Sequence, residues 1–232
     1  MFKLGTACYA IIWVKPLMSQ DTLRIIYFSY FHSILLYGII LWGNSAYSPN
    51  IFKIQKRIIR VIMNAKNRDS CCQLFKKLKI LPLKSQYTFS LLLFVAKNRD
   101  LYKQNSEIHD NNIRFSSNLH TPTANLKKLQ KGPFYFGIKV FNHLPTSIKN
   151  ISHDIRQFQY VLKCFLLINS FTQWRNIVLG IRIEILVQCN NFKSKHLNNL
   201  SCNVSQYCFT VLLLMWILSF YIYIYIYKIY SI

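Results

Sequence analysis

Acidic residues are nearly missing from this sequence: seven Asp and Glu stand against 29 Lys and Arg in 232 residues. The formal charge of +22 costs self-repulsion unless a polyanion neutralises it, which points to nucleic acid or an acidic membrane as partner. Metal-dependent phosphoryl transfer needs at least two carboxylates on one pair of metal ions. Of Asp21, Asp69, Asp100, Glu107, Asp110, Asp154 and Glu184, only Glu107 and Asp110 lie close, around His109, and as polar loop residues they need no metal. Glycine is scarce as well, six in all, and no G-x-x-x-x-G-K-[ST], G-x-G-x-x-G or G-x-S-x-G occurs. Neither a phosphate cradle nor a nucleophile elbow of those kinds is expected. No metal and no cofactor are expected.

Cysteine is present without a pattern. Cys8, Cys71, Cys72, Cys164, Cys189, Cys202 and Cys208 are odd in number and scattered, and no secretory signal precedes them, which reads as reduced thiols in an intracellular compartment. Cys189, His196, Cys202 and Cys208 miss the paired spacing that lets one turn present two thiolates to zinc. Cys71 and Cys72 are adjacent on a helix, one expected buried and one exposed.

What is there is apolar and basic. At 52% apolar residues the chain can bury a core. "TACYAIIWV" reads as a helix stopped before Pro16. Ser19 is the expected N-cap of a long helix, "TLRIIYFSYFHSILLYGIILWG", ending at Gly43. Its uncharged run from Ile25 to Trp42 has the length of a membrane span, but the interspersed Ser29, Tyr30, His32, Ser33, Tyr37 and Gly38 suit a helix buried by its neighbours.

"SPNIFKIQKRIIRVIMNAK" reads as the clearest helix, capped by Ser48, with Pro49 at the first helical position. Ile51, Ile54, Ile58, Val61 and Ile62 share one face, and Lys53, Lys56, Arg57 and Arg60 form a cationic stripe nearly opposite. A charge stripe is commonly just a solvated face. A purely basic one repels itself, so phosphate contact is the competing reading. Two further helices, "SCCQLFKKLKILPL" and "KSQYTFSLLLFVAKNRD", part near Pro82, the first carrying Lys76, Lys77 and Lys79. The pentapeptide "AKNRD" occurs at Ala65–Asp69 and Ala96–Asp100, each copy ending a helix, without matching flanks. The Asn- and Ser-rich stretch from Tyr102 to Leu126 reads as a long loop with room for a short hairpin. A helix capped by Ser152 or Asp154 comes next, "DIRQFQYVLKCFLLINSF".

Several stretches in order resemble one family: "VKPLMSQDTLRIIYFSYFHSILLYGIILWGNS", "IQKRIIRVI", "CCQLFKKLKILPLKSQYTFSLLLFV", "IHDNNIR", "FYFGIKVFNHLPTSIKNI" and "FQYVLKCFLL". From Cys8 to Phe171 the chain resembles the C-terminal region of a reverse transcriptase from a non-LTR, jockey-like retrotransposon, with Val14 where leucine is typical and Ile113 where Thr is commoner. The resemblance implies the thumb and the region downstream of it, a mainly α helical bundle that holds the template–primer duplex by its phosphates. It implies helices contacting phosphates, in agreement with the independent stripe of Lys53, Lys56, Arg57 and Arg60, to which Lys76, Lys77 and Lys79 would add as further nucleic-acid contacts. The family's Tyr-x-Asp-Asp turn, which supplies the magnesium carboxylates, matches no position here. The expectation is therefore a catalytically incomplete fragment of an RNA-directed DNA polymerase that binds RNA–DNA or DNA backbone.

The organisation expected is a thumb-like helical region over 1–101, a polar linker over 102–132, a second helical region over 133–171, and an unrelated hydrophobic tail over 172–232. The closing "SFYIYIYIYKIYSI" is what an alternating TA dinucleotide tract encodes, so the tail reads as translated non-coding sequence. Residues 209–227 are nevertheless long and apolar enough to span a bilayer. A tail-anchored basic membrane protein, and a relic without function, remain the alternatives.

Overall fold

The computed structural model describes residues 2–108 and 117–169, all within one compact unit, Met1–Glu184; the second unit, Ile185–Ile232, lies outside the described residues. The fold is mainly helical, with no strand among the described residues.

Helix α1 (Phe2–Val14) buries Leu4, Ala7, Cys8 and Ile11, the i, i+3, i+4, i+7 face, against α5 (Ser48–Ile62). Pro16 turns the chain through a short 3₁₀ segment, Lys15–Leu17. Ser19 caps α2 (Gln20–Ile26) as expected, its hydroxyl accepting the Thr22 amide at 3.3 Å.

The long helix expected to run to Gly43 is broken. It widens into a π segment at Tyr27–His32, tightens again in α3 (Ser33–Leu36), and stops at Tyr37 and Gly38 before α4 (Ile39–Trp42). The break has a visible cause. Gly38 sits at φ +61, where a glycine carries no Cβ penalty, and the Trp42 indole N–H donates to the Tyr37 carbonyl at 2.8 Å, satisfying a group the helix has released. Tyr27, Phe31, Leu35 and Ile39 still point inward one turn apart, while Leu36, Tyr37 and Leu41 are exposed.

Ser48 is not the cap of α5. It is the first helical residue, and its buried hydroxyl donates to the Gly43 carbonyl at 2.6 Å, holding α4 to α5. α6 (Cys71–Leu78) ends in Lys79 at φ +54, and α7 (Leu83–Lys97) starts after Pro82, where the parting was expected. α7 buries residues all round, from Leu83 and Tyr87 to Leu92 and Val95, because α4, α5, α10 (Pro133–Asn142) and α12 (Ile155–Asn169) all pack on it. Asp154 caps α12, accepting from the Arg156 and Gln157 amides at 3.0 and 3.2 Å.

The polar stretch is short α8 (Asn105–Ile108), then one antiparallel bridge, Gln104 with Leu119. Asn142 clamps that bridge, donating to the Leu119 carbonyl at 2.8 Å and accepting its amide at 2.9 Å. Two short helices, α9 (Lys127–Gln130) and α11 (Thr146–Lys149), flank α10. The two AKNRD copies differ: Ala65–Asp69 follows α5 as a loop, and the second copy carries the end of α7 into a 3₁₀ turn at Arg99–Leu101.

No helix among the described residues is long and apolar enough to cross a membrane, and residues 209–227 lie outside them.

Candidate nucleic-acid interface

The face of α5 that meets the core is Ile51, Gln55, Ile58, Ile59 and Ile62; Ile54 and Val61 sit on its flanks, half-buried. At 100° per residue the four cations fall on the opposite side within about a third of a turn. Lys53 and Arg57 are exposed, and Lys56 and Arg60 are half-buried.

Their surroundings differ along the stripe. Lys56 holds its ammonium 4.9 Å above the Phe52 ring, which itself stacks on Phe75 of α6 at 6.1 Å. Arg60 is already engaged: its Nε and Nη2 donate to the Asp69 carbonyl at 3.3 and 3.1 Å, and the Asp69 carboxylate accepts the Lys66 amide at 2.8 Å. It therefore anchors the loop after α5 while keeping its charge. Burial pushes the Cys71 thiol up and the charges of Arg60 and Lys56 pull it back, which places both cations toward the start of α6. Arg57 opposes the burial of Cys8 in the same way, so it lies toward α1. The stripe is a shallow cationic ridge flanked by two helices.

Lys76 and Lys77 are exposed in the last turn of α6, where the helix dipole favours cations. Lys79 belongs elsewhere. Its charge acts on Lys163, as does that of Arg24, two residues that sequence reasoning did not single out. Arg24 donates from Nε to the Leu78 carbonyl at 3.0 Å, and its guanidinium carbon stands 5.5 Å from the Phe28 ring centroid. Lys163 is exposed, yet burial and then the Arg24 charge lower its pKa, with Lys79 adding to this and Cys164 opposing it. The signal in the sequence was isolation. Arg24 is the one cation between Lys15 and Lys53, and Lys163 stands alone in "VLKCFLL".

Among the described residues no three His, Cys, Asp or Glu side chains gather where they could hold a metal ion. Glu107 is exposed on α8, whereas His109, Asp110, Cys189, His196, Cys202 and Cys208 lie outside the described residues. No protein-family model matches the chain, and neither does any curated protein or solved structure.

Proposed function

We propose that this helical body binds the phosphate backbone of nucleic acid without sequence preference, as the thumb-like part of a non-LTR retrotransposon reverse transcriptase, and that these 232 residues do not polymerise by themselves. One observation carries the binding: Lys53, Lys56, Arg57 and Arg60 face outward from a helix whose other side is anchored in the core, with no acidic partner among the described residues. A stiff, purely cationic ridge suits phosphates, which position a duplex and carry no base information. The retrotransposon origin rests on the sequence resemblance.

Because Arg60 also holds the loop after α5, the informative variant leaves it in place. Lys53→Gln, Lys56→Gln and Arg57→Gln together should reduce the slope of log K against log salt for duplex binding by about 2.7, three contacts at about 0.9 each. Affinity should fall by a similar factor for every sequence tested. An unchanged slope would make the ridge an ordinary solvated face.

A further inference from the structure

Two large aromatic rings of α1 stand in water. Tyr9 is 61% exposed and Trp13 63%, one helical turn apart, with ring centroids 6.2 Å from each other and planes tilted by 52°. At that tilt neither ring covers the other. They lie opposite the buried face of Leu4, Ala7, Cys8 and Ile11, so nothing in the core asks for them. One exposed apolar side chain is ordinary, but two neighbouring rings on one outer face ask for a partner.

What borders that face is set by α5, which packs on α1 and runs in the same direction. Lys3 and Leu4 share a surface hollow with Tyr47 and Ile51, where both helices start. Just past their ends, Lys15 donates from Nζ to Asn64 Oδ1 at 2.8 Å. The centre of the buried side of α5 is already taken, because Gln55 there meets Tyr27, Leu81 and Leu83. One flank belongs to α6, through the Phe52–Phe75 stack at 6.1 Å. That leaves α1 the other flank, which at 100° per residue carries Ile54, Val61 and, further out, Arg57. The two helices therefore lie side by side, and their outer faces adjoin: Tyr9 and Trp13 on one, the exposed Lys53 and Arg57 on the other. Neither helix contains an Asp or a Glu.

We propose that Tyr9 and Trp13 form a stacking platform for unpaired bases beside the cationic ridge, so that the strand held there is single-stranded nucleic acid or the single-stranded end of a duplex. This rests on the backbone-binding reading of α5 and adds a class of ligand to it. Every base has a π face, so stacking on a ring is as tolerant of sequence as a phosphate contact is. Inside a duplex the bases already stack on one another and offer no face to a ring on a helix surface. A protein partner would also cover two rings, since interfaces favour aromatic anchors. A border of cations without one carboxylate favours a polyanion instead.

The test reads fluorescence anisotropy of three labelled ligands against the full chain: a short oligothymidylate, a strand of equal length built of abasic sites, and a blunt hairpin duplex. Wild-type protein should bind oligothymidylate more tightly than the abasic strand. Tyr9→Ala with Trp13→Ala should weaken oligothymidylate binding at least about tenfold and erase its advantage over the abasic strand. The same variant should leave the duplex and abasic affinities, the salt slope and the melting temperature as they are, because it removes no charge and no buried group. Trp13→Phe keeps a ring and should keep most of the affinity. Equal binding of the thymidylate and abasic strands by wild type, or a loss in the double variant that is as large for duplex, would overturn the platform and leave the ridge standing. An unchanged salt slope in the Lys53, Lys56 and Arg57 triple variant would bring down ridge and platform together. A double variant that turns a dimer into a monomer in sedimentation, with oligothymidylate binding intact, would make this face an interface between copies and the proposal wrong.

Discussion

Gln55 is 0 % exposed, and its amide holds three segments together. Nε2 donates to the Tyr27 hydroxyl and to the Leu81 carbonyl, each at 3.0 Å, and Oε1 accepts the Leu83 amide at 2.9 Å, where α7 begins. Every hydrogen-bonding group of that side chain is matched inside the core, so removing it orphans three partners at once. Gln55→Ala should lower the unfolding free energy by about 4 kcal/mol, and Tyr27→Phe by about 1 kcal/mol, both read from urea melts. His32 carries the pH dependence at this scale. Burial first, and the Lys163 charge second, lower its pKa from 6.5 to about 4. Between those values the unfolded chain takes up a proton that the folded chain refuses, so stability should fall as pH drops from about 6.5 toward 4 and stay level above. The loss should not exceed about 3 kcal/mol, and His32→Gln should flatten it in melts taken across that range.

Among the elements, the caps and breaks decide which faces meet. Ser19, Pro16, Pro82 and Asp154 act where their chemistry predicts, because capping and proline sterics are local. The long α2–α4 stretch departs from its sequence pattern because a π turn and the left-handed Gly38 re-aim its second half toward α7. Packing of α10 on α7 hangs on a single glycine. A Cβ at Gly137 would come within 2.8 Å of the Val95 side chain and 3.5 Å of Leu91. Gly137→Ala should therefore destabilise by about 2 kcal/mol despite the better helix propensity of alanine, with α10 amides exchanging faster than those of α1. Equal or higher stability would mean that the two helices part without loss.

At the scale of the whole described body, α7 is the hub. Segments expected as separate regions, 1–101 and 133–171, meet on it through α10 and α12. The proposed nucleic-acid binding rests on the cationic side of α5, carried on the outside of this apolar-cored body. Primer extension with RNA or DNA template and either Mg²⁺ or Mn²⁺ should yield no product with these 232 residues, since no position matches the family's paired aspartates. Templated incorporation that survives removal of contaminating polymerase would overturn the proposed reading.

The mainly helical class, the cationic face of α5 and the ends of most long helices were legible in the sequence. Period, proline and cap chemistry act over a few residues and need no partner to be read. The tertiary structure alone decided the rest. Ser48 turned from cap to tether because Gly43 happened to lie 2.6 Å away. Arg60 became half ridge and half clamp because the loop after α5 folds back to it. Arg24 reaches the end of α6, donating to the Leu78 carbonyl at 3.0 Å across 54 residues, a separation over which no local pattern connects side chain to backbone. Only the tertiary fold brings that carbonyl to the guanidinium, because long-range packing, and not period or cap chemistry, sets which helix ends meet.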